Sequence, residues 1–303
     1  LIGGRSARSG AAAAAGTGAG GAAGGAAGAG VGAGVGAGVG AGAGSLAGAA
    51  AGFLGGLLGV GGGLLIVAAL SITLPASGLP PDEVIHVAVA TALAGMVVTF
   101  ASATVAHLRK GGILGPTWLR LAPGLALGSV AGSRLAHLMS GPALRLVVAG
   151  FCVLVAGQMV FGRTRARAEA DHVPRSLWLL AGGFAIAAVS AVVGIGGGSL
   201  TVPLLVSLGV RPVRAVATSA ACGLVIALAS AASNIVSLPP PLHPAPWGMA
   251  GLVYVPAAVA TAVAALVTAP LGVGVANRIS GKALRKVFAL FLLSVGGVIA
   301  TGG

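Results

Sequence analysis

Two glycine clusters are the residues best placed to do chemistry: "GVGGG" at 59–63 and "GIGGG" at 194–198. Both lie inside long apolar runs, although glycine costs about 1 kcal/mol relative to alanine in a helix interior. A helix interrupted at such a cluster becomes two half-helices, and the second begins with unpaired N–H groups at the positive end of its dipole. Because that arrangement binds anions, we expect an anion site at the clusters. The alternative is that the glycines only let neighbouring membrane helices approach closely.

A few ionisable and amide side chains near the apolar segments are further candidates. His107 and Asn234 occupy equivalent positions and could both face a ligand, although His107 could instead lie at the membrane interface beside Arg109 and Lys110. His86 could relay protons or lie at the interface. Arg134 would be functional if it were inside the membrane, and otherwise its side chain extends to the interface. No chemistry is assigned to the remaining candidates, which fall in or beside predicted loops: His137, Glu169, Asp171, His172 and His243.

Catalytic and metal chemistry lack the residues they need. The apolar segments contain no carboxylate pair, no His/Cys set at metal-ligand spacing and no nucleophile beside a base, and the four acidic residues fall in predicted loops. We therefore expect a protein that is not an enzyme and that holds no metal or other cofactor.

The composition indicates an all-α polytopic membrane protein. Of the 303 residues, 57% are hydrophobic and only 7% are charged, and the mean hydropathy is +1.06. A soluble domain carries about 25% charged residues. The net charge of +13 does not indicate nucleic-acid binding, because the Lys and Arg residues lie in short loops and aromatic residues make up only 4%. Basic loops of this kind orient a protein in the membrane.

Eight apolar segments form two homologous halves. Residues 1–45 are a Gly/Ala-rich tail that we expect to be disordered, because it buries too little apolar surface to fold. The first transmembrane half is 46–162, a basic cytoplasmic linker is 163–175, and the second half is 176–303. The predicted segments are 46–74, 84–106, 118–139, 143–161, 176–208, 212–236, 247–277 and 283–301.

Three collinear sequence matches support the duplication. They pair "GVGGGLLIVAAL" with "GIGGGSLTVPLL", "AVATALAGM" with "AVATSAACG", and "MSGPALRLV" with "ISGKALRKV". Collinear matches of this kind at nearly constant separation indicate an internal repeat.

The positive charges favour an inverted repeat. If all eight segments crossed the membrane, the two faces would carry 9 and 8 Lys and Arg residues. If the two glycine-broken segments enter and leave on one side, one face carries 4 and the other 13. The second arrangement follows the positive-inside rule. It gives each half an odd number of crossings, and therefore an inverted repeat with broken or re-entrant glycine-rich helices.

The repeated motifs resemble the TauE/SafE sulfite-exporter family over about residues 46–301. The resemblance is carried by "GFLGGLLGVGGGLLIV" with "AVATALAG", and by "AVVGIGGGSLTVPLL" with "AVATSAACG". The first half departs from the pattern, with Ala68 and Ala92 where the second half has Pro203 and Ser219.

The resemblance implies a substrate site at the clusters and the adjoining helices. At the clusters the implied residues are Gly61, Gly62, Gly63, Gly196, Gly197, Gly198 and Ser199, with Thr91, Thr218 and Ser219 facing them. Backbone N–H and hydroxyl donors suit a sulfur oxyanion, because hydrogen bonds to an ionised group are about twice as strong as neutral ones.

The expected function is export of sulfite, a sulfonate or a related sulfur-containing anion across the inner membrane. Alternating access would operate at a midplane site, and the membrane potential would drive the anion outward. The alternatives are an uptake carrier for another organic anion, a non-transporting membrane scaffold subunit, and a passive anion channel. The expected partners are the small anion and the lipid bilayer, and assembly into a homo-oligomer is left open.

Overall fold

The chain is mainly α-helical. The computed structural model describes residues 45–46, 48–53, 62–77, 79–161, 177–237, 248–276 and 281–301. Residues 48–53 are helical. The helices that follow are α1 Gly63–Thr73, α2 Pro81–Arg109, α3 Gly115–Leu138, α4 Gly141–Phe161, α5 Leu177–Val193, α6 Gly198–Ser207, α7 Pro212–Val236, α8 Val255–Ala276 and α9 Gly281–Thr301. The predicted linker 163–175 and all of the predicted tail but its last residue lie outside the described residues.

The helices have the length and surface of membrane segments. Among the described residues, α2, α7 and the part of α4 from Gly141 to Gln158 are long and apolar enough to cross a bilayer, and several shorter apolar helices accompany them. Large apolar side chains also point outward: Leu119, Leu127, Leu146, Val267 and Leu290. A helix that is apolar towards both core and surroundings is typical of a membrane protein. The prediction of an all-α membrane protein is confirmed.

Two local predictions were wrong. Asp82 and Glu83 lie in the first turn of α2 and not in a loop, because carboxylates stabilise the positive end of a helix. The segment from 247 begins with a hairpin, in which β1 (Met249–Ala250) pairs antiparallel with β2 (Val253–Tyr254). Gly251 in its turn has φ 58°, a left-handed conformation that favours glycine.

The long helices α2 and α7 pack together and run antiparallel. The Leu114 N–H, just beyond the C-terminus of α2, donates to Thr218 Oγ1 near the N-terminus of α7 at 3.0 Å. The Tyr254 N–H donates to Thr91 Oγ1, in the N-terminal half of α2, also at 3.0 Å. Since the Leu252 N–H donates to the carbonyl of Asn234 at 3.1 Å, the hairpin lies at the C-terminal end of α7.

The remaining helices surround this pair through close glycine contacts. Helix α3 packs along α5, and α4 packs along α9. A Cβ atom on Gly124, Gly128 or Gly132 of α3 would overlap a backbone carbonyl of α5. Gly48 and Gly52 approach the backbone of α8 in the same way. Small residues let membrane helices approach this closely.

Candidate functional site

The second glycine cluster interrupts a helix, as the sequence predicts. Helix α5 ends at Val193, and α6 begins at Gly198 with Gly197 as its N-cap at φ 72°. The two helices have 17 and 10 residues, or about 26 and 15 Å at 1.5 Å per residue. Neither alone spans the hydrocarbon core of about 30 Å. The first N–H groups of α6 therefore start inside the protein, without acceptors in their own helix.

The first cluster lies against the second. Gly62 is the N-cap of α1 at φ 64°, the position equivalent to Gly197. A Cβ atom on Gly63 would overlap the carbonyl oxygen of Gly194. The structure therefore brings Gly62 and Gly63 together with the second cluster, whereas Gly61 lies outside the described residues.

Three buried hydroxyl oxygens at the second interruption have no hydrogen-bond partner among the described residues: those of Ser190, Ser199 and Thr201. A Cβ atom on Gly197 would lie 3.7 Å from both Ser190 Oγ and Thr201 Oγ1. A buried polar atom without a partner costs about 1–3 kcal/mol. The hydroxyls of Ser190 and Thr201, both near Gly197 at the start of a helix, are suited to a polar ligand.

Sequence reasoning included Ser199 but missed Ser190 and Thr201. The signal that could have found them is the difference between the two halves. At the positions of the first half equivalent to Ser190, Ser199 and Thr201 stand Gly55, Leu64 and Ile66. The hydroxyl cluster is therefore confined to the second half, so the two halves are chemically unequal where they meet.

An aromatic ring covers one side of the second interruption. Phe100 of α2 is buried, and its ring would overlap a Cβ atom placed on Gly196. Gly223 of α7 gives the ring space, because a Cβ there would lie 2.7 Å from a ring carbon. Val89, also on α2, lies on the other side, with methyl carbons 3.5 Å from the Cβ position of Gly194. The interruption thus lies between Val89 and Phe100.

The three hydroxyl residues of α2 and α7 that the family resemblance implies for the site have hydrogen-bond partners within the protein. Thr91 and Thr218 are buried, and each accepts a backbone N–H from the other half of the chain. Ser219 Oγ donates to the carbonyl of Val216 in its own helix at 2.9 Å. These contacts give all three residues a packing role whether or not they also face a ligand.

His107 and Asn234 lie far apart, at the C-terminal ends of two antiparallel helices. His107 is half-buried in the last turn of α2. Asn234 is buried near the end of α7, and its Oδ1 accepts from Nε2 of His137 at 3.0 Å. His137, to which the sequence assigned no chemistry, is therefore the partner of a predicted site residue.

A crevice opens at the end of the molecule that holds Asn234. It has a volume of about 560 Å³. Residues lining it include Asp82, Glu83, His86, His137, Met139 and Ser140. A separate void of only about 10 Å³, at the lower limit for a single water molecule, is lined by Val89, Ser133, Ala191 and Asn234, among others. Val89 also lies near Gly194, so this void is close to the second interruption.

Carboxylate side chains line the crevice mouth. Asp82 and Glu83 are two of the four acidic residues in the chain. Within the described ranges, no group of three His, Cys, Asp or Glu side chains could hold a metal ion. What the interruption offers a ligand is glycine backbone, the start of a helix and hydroxyl groups, a donor set suited to an anion that must also be released.

Two comparisons with known proteins are informative. The family model described as "Sulfite exporter TauE/SafE" matches residues 44–299. A protein named "Probable membrane transporter protein" from Haemophilus influenzae is 31% identical over 244 residues, which cover 78% of this chain and 89% of that protein. No solved structure matches the chain.

Proposed function

The chain belongs to the TauE/SafE sulfite exporter family of membrane transporters, and on that premise we propose that it exports a small sulfur-containing anion. Sulfite, a sulfonate or a related oxyanion crosses the inner membrane by alternating access at a midplane site. The site is formed where the interruptions at Gly62–Gly63 and Gly194–Gly197 meet.

The observation that carries the proposal is the cluster of unpartnered hydroxyls at the start of α6. Ser190 and Thr201 supply neutral donors beside Gly197 that no described residue uses, and Ser199 in the first turn of α6 is a further unpartnered hydroxyl. The N–H groups at the start of α6 add donors and the positive end of a helix dipole. An oxyanion has several acceptor oxygens and satisfies such a donor set. Because the donors are neutral, no fixed positive charge at the site slows release of the anion.

Alternating access is supported by the arrangement of the two halves, 46–162 and 176–303. Equivalent helices of an inverted repeat run antiparallel, as α2 and α7 do. The two hydrogen bonds that join these helices to the opposite half are also equivalent. The acceptor Thr91 corresponds to the acceptor Thr218, and the donor Tyr254 corresponds to the donor Leu114. In the proposed cycle the crevice gives access from one side, and the Phe100 ring closes the other.

The charge distribution supports export. Arg134 and Arg145 lie near the crevice end of the molecule, whereas Arg109 and Lys110 lie at the opposite end of α2. In the predicted topology the crevice face carries 4 Lys and Arg residues and the opposite face 13, so by the positive-inside rule the crevice faces outward. The carboxylates at its mouth, Asp82 and Glu83, disfavour return of a released anion. For a dianion, a membrane potential of 100 mV contributes about 4.6 kcal/mol to outward movement.

Counterflow in proteoliposomes tests the proposal, using sulfite, thiosulfate, sulfate and several sulfonates with and without an imposed potential. We expect saturable flux of at least one of these anions that responds to the potential. Protein-free liposomes are the control for leak. Absence of flux for the whole panel would contradict the proposal, and a single-channel conductance far above carrier turnover would contradict alternating access.

A further inference from the structure

His86 lies in the crevice with backbone carbonyl oxygens around both ring nitrogens. Its Nδ1 lies 3.1 Å from the carbonyl oxygen of Asp82 in its own helix, α2. Its Nε2 lies 3.1 Å from the carbonyl oxygen of Ala136 and 3.0 Å from that of Met139. The ring therefore connects the first turns of α2 to the C-terminal end of α3.

This set of partners can be fully satisfied only by a doubly protonated ring. A carbonyl oxygen accepts hydrogen bonds and cannot donate, and a neutral imidazole has a single N–H. In the neutral form one ring nitrogen would direct its lone pair at a carbonyl oxygen. The oxygens of Ala136 and Met139 also lie at the negative end of the α3 dipole, which favours a cation.

The ionisable neighbours of His86 come from three helices. Asp82 and Glu83 of α2 line the same crevice and favour a positive charge. His137 of α3 opposes it, and Nε2 of His137 is hydrogen-bonded to Oδ1 of Asn234. Arg145 of α4 donates to the carbonyl of Pro81 at 2.6 Å, beside the first turn of α2.

We propose that His86 is the proton-binding group of this carrier and that anion export is coupled to proton uptake through the crevice. The inference rests on the proposed function, and it adds a second transported ion. A proton from the outer face converts His86 to the imidazolium form and fixes α2 to α3. Its release towards the inner face removes one N–H and loosens that contact, so the state of the crevice follows the protonation of His86.

The first test measures anion efflux from proteoliposomes against external pH, between about pH 5.5 and 8, where histidine changes charge. For one proton exchanged per anion, the anion ratio reached at equilibrium changes about tenfold per unit of pH difference. We expect this response in the native protein and its loss in H86Q, which keeps an N–H donor but cannot titrate. H137Q, altered in the same crevice, should keep the response.

The second test does not require transport. Ser140 is exposed at the crevice mouth, and the two native cysteines, Cys152 and Cys222, are buried. The rate of maleimide labelling of S140C should rise several-fold more with pH when His86 is present than in the H86Q background. Because His86 contacts the carbonyl of Met139, next to position 140, its charge also changes the thiolate fraction of S140C. The thiolate fraction is therefore measured in both proteins, and the labelling rate per thiolate reports the contact between α2 and α3.

The outcomes separate the two proposals. If no anion is transported by any variant, the proposed function is wrong, and the labelling of S140C still decides the role of His86. An unchanged pH response in H86Q, or its loss in H137Q alone, would overturn the assignment. If H86Q does not accumulate, H86K replaces it, because a fixed positive charge should equally make efflux independent of pH.

Discussion

Two kinds of buried hydroxyl group cannot be told apart by residue type. Thr91 and Thr218 accept backbone N–H groups from the opposite half. Ser190 and Thr201 have no partner among the described residues. Removing a hydroxyl from the first class leaves a buried N–H without an acceptor, whereas removing one from the second class removes an unsatisfied group. The two classes should therefore respond oppositely to an isosteric apolar substitution.

Thr201→Val and Thr218→Val form a matched pair that tests this difference. A hydrogen bond to a charged group is worth about 1.5–3 kcal/mol, so T201V should raise KM for the transported anion about tenfold or more, without lowering thermal stability. T218V should lower the free energy of unfolding by about 1–3 kcal/mol, because it removes the acceptor of the Leu114 N–H. The measurements are proteoliposome flux and thermal melting in detergent. An unchanged KM in T201V would remove Thr201 from the site.

The glycines of the proposed site follow from the sequence, but among its unpartnered hydroxyl groups only that of Ser199 does. A run of glycines inside a membrane-length apolar segment has few explanations. Serines in helices commonly donate to the carbonyl four residues earlier, as Ser71 and Ser129 do here at 2.7 Å. Whether Ser190 instead stays free depends on rotamers and packing that sequence spacing does not specify.

At the scale of elements, the interruption between α5 and α6 depends on the backbone conformation of one residue. Gly197 has φ 72°, and a Cβ atom there would also overlap Cδ1 of Ile226 on α7. Any larger residue therefore meets both backbone strain, of about 1–2 kcal/mol, and a steric conflict.

Gly197→Ala should reduce transport strongly, and Gly197→Val should abolish it with little change in expression. The matched control is Gly150→Ala in α4, where no atom lies within 4 Å of the added Cβ. That substitution should leave flux unchanged and slightly favour the helix. Initial flux and membrane yield are measured for all three variants. Normal flux in G197V would remove the second glycine cluster from the mechanism.

Helix positions were predictable where apolar runs ended at proline, and less so where backbone hydrogen bonds decided the boundary. Pro212 begins α7 at the predicted residue. The apolar residues 249–254 predict a helix, whereas in the structure they form a hairpin. It forms where the Leu252 N–H reaches the carbonyl of Asn234, at the end of α7, and sequence periodicity does not report such a tertiary contact.

At the scale of the whole molecule, two properties of the sequence predict an inverted repeat, but not how its halves pack together. The repeat fixed which segments are equivalent, and the distribution of Lys and Arg favoured opposite orientations. The structure adds the contact between α2 and α7 and the meeting of the two glycine clusters. Neither follows from the repeat, because duplicated halves can also pack through other helices.

Cysteine labelling tests the inverted arrangement directly. Lys110→Cys lies just after α2, and Ala245→Cys lies in the segment that the sequence predicts to be the equivalent loop of the second half. An impermeant maleimide applied to intact cells should label A245C and not K110C, because equivalent loops of an inverted repeat face opposite sides. Labelling of both after lysis is the control. Labelling of both in intact cells would contradict the inverted arrangement.

The two hydrogen bonds between the halves determine when the first half can complete its folding during synthesis. The Thr91 hydroxyl and its donor are 163 residues apart, and the Leu114 N–H and its acceptor are 104 apart. While the ribosome is still translating the second half, the first half lies in the bilayer with a buried donor and a buried acceptor unsatisfied. Its helices can insert at that time, but their final packing waits for the rest of the chain. The first half therefore completes its folding only when the second half has been made.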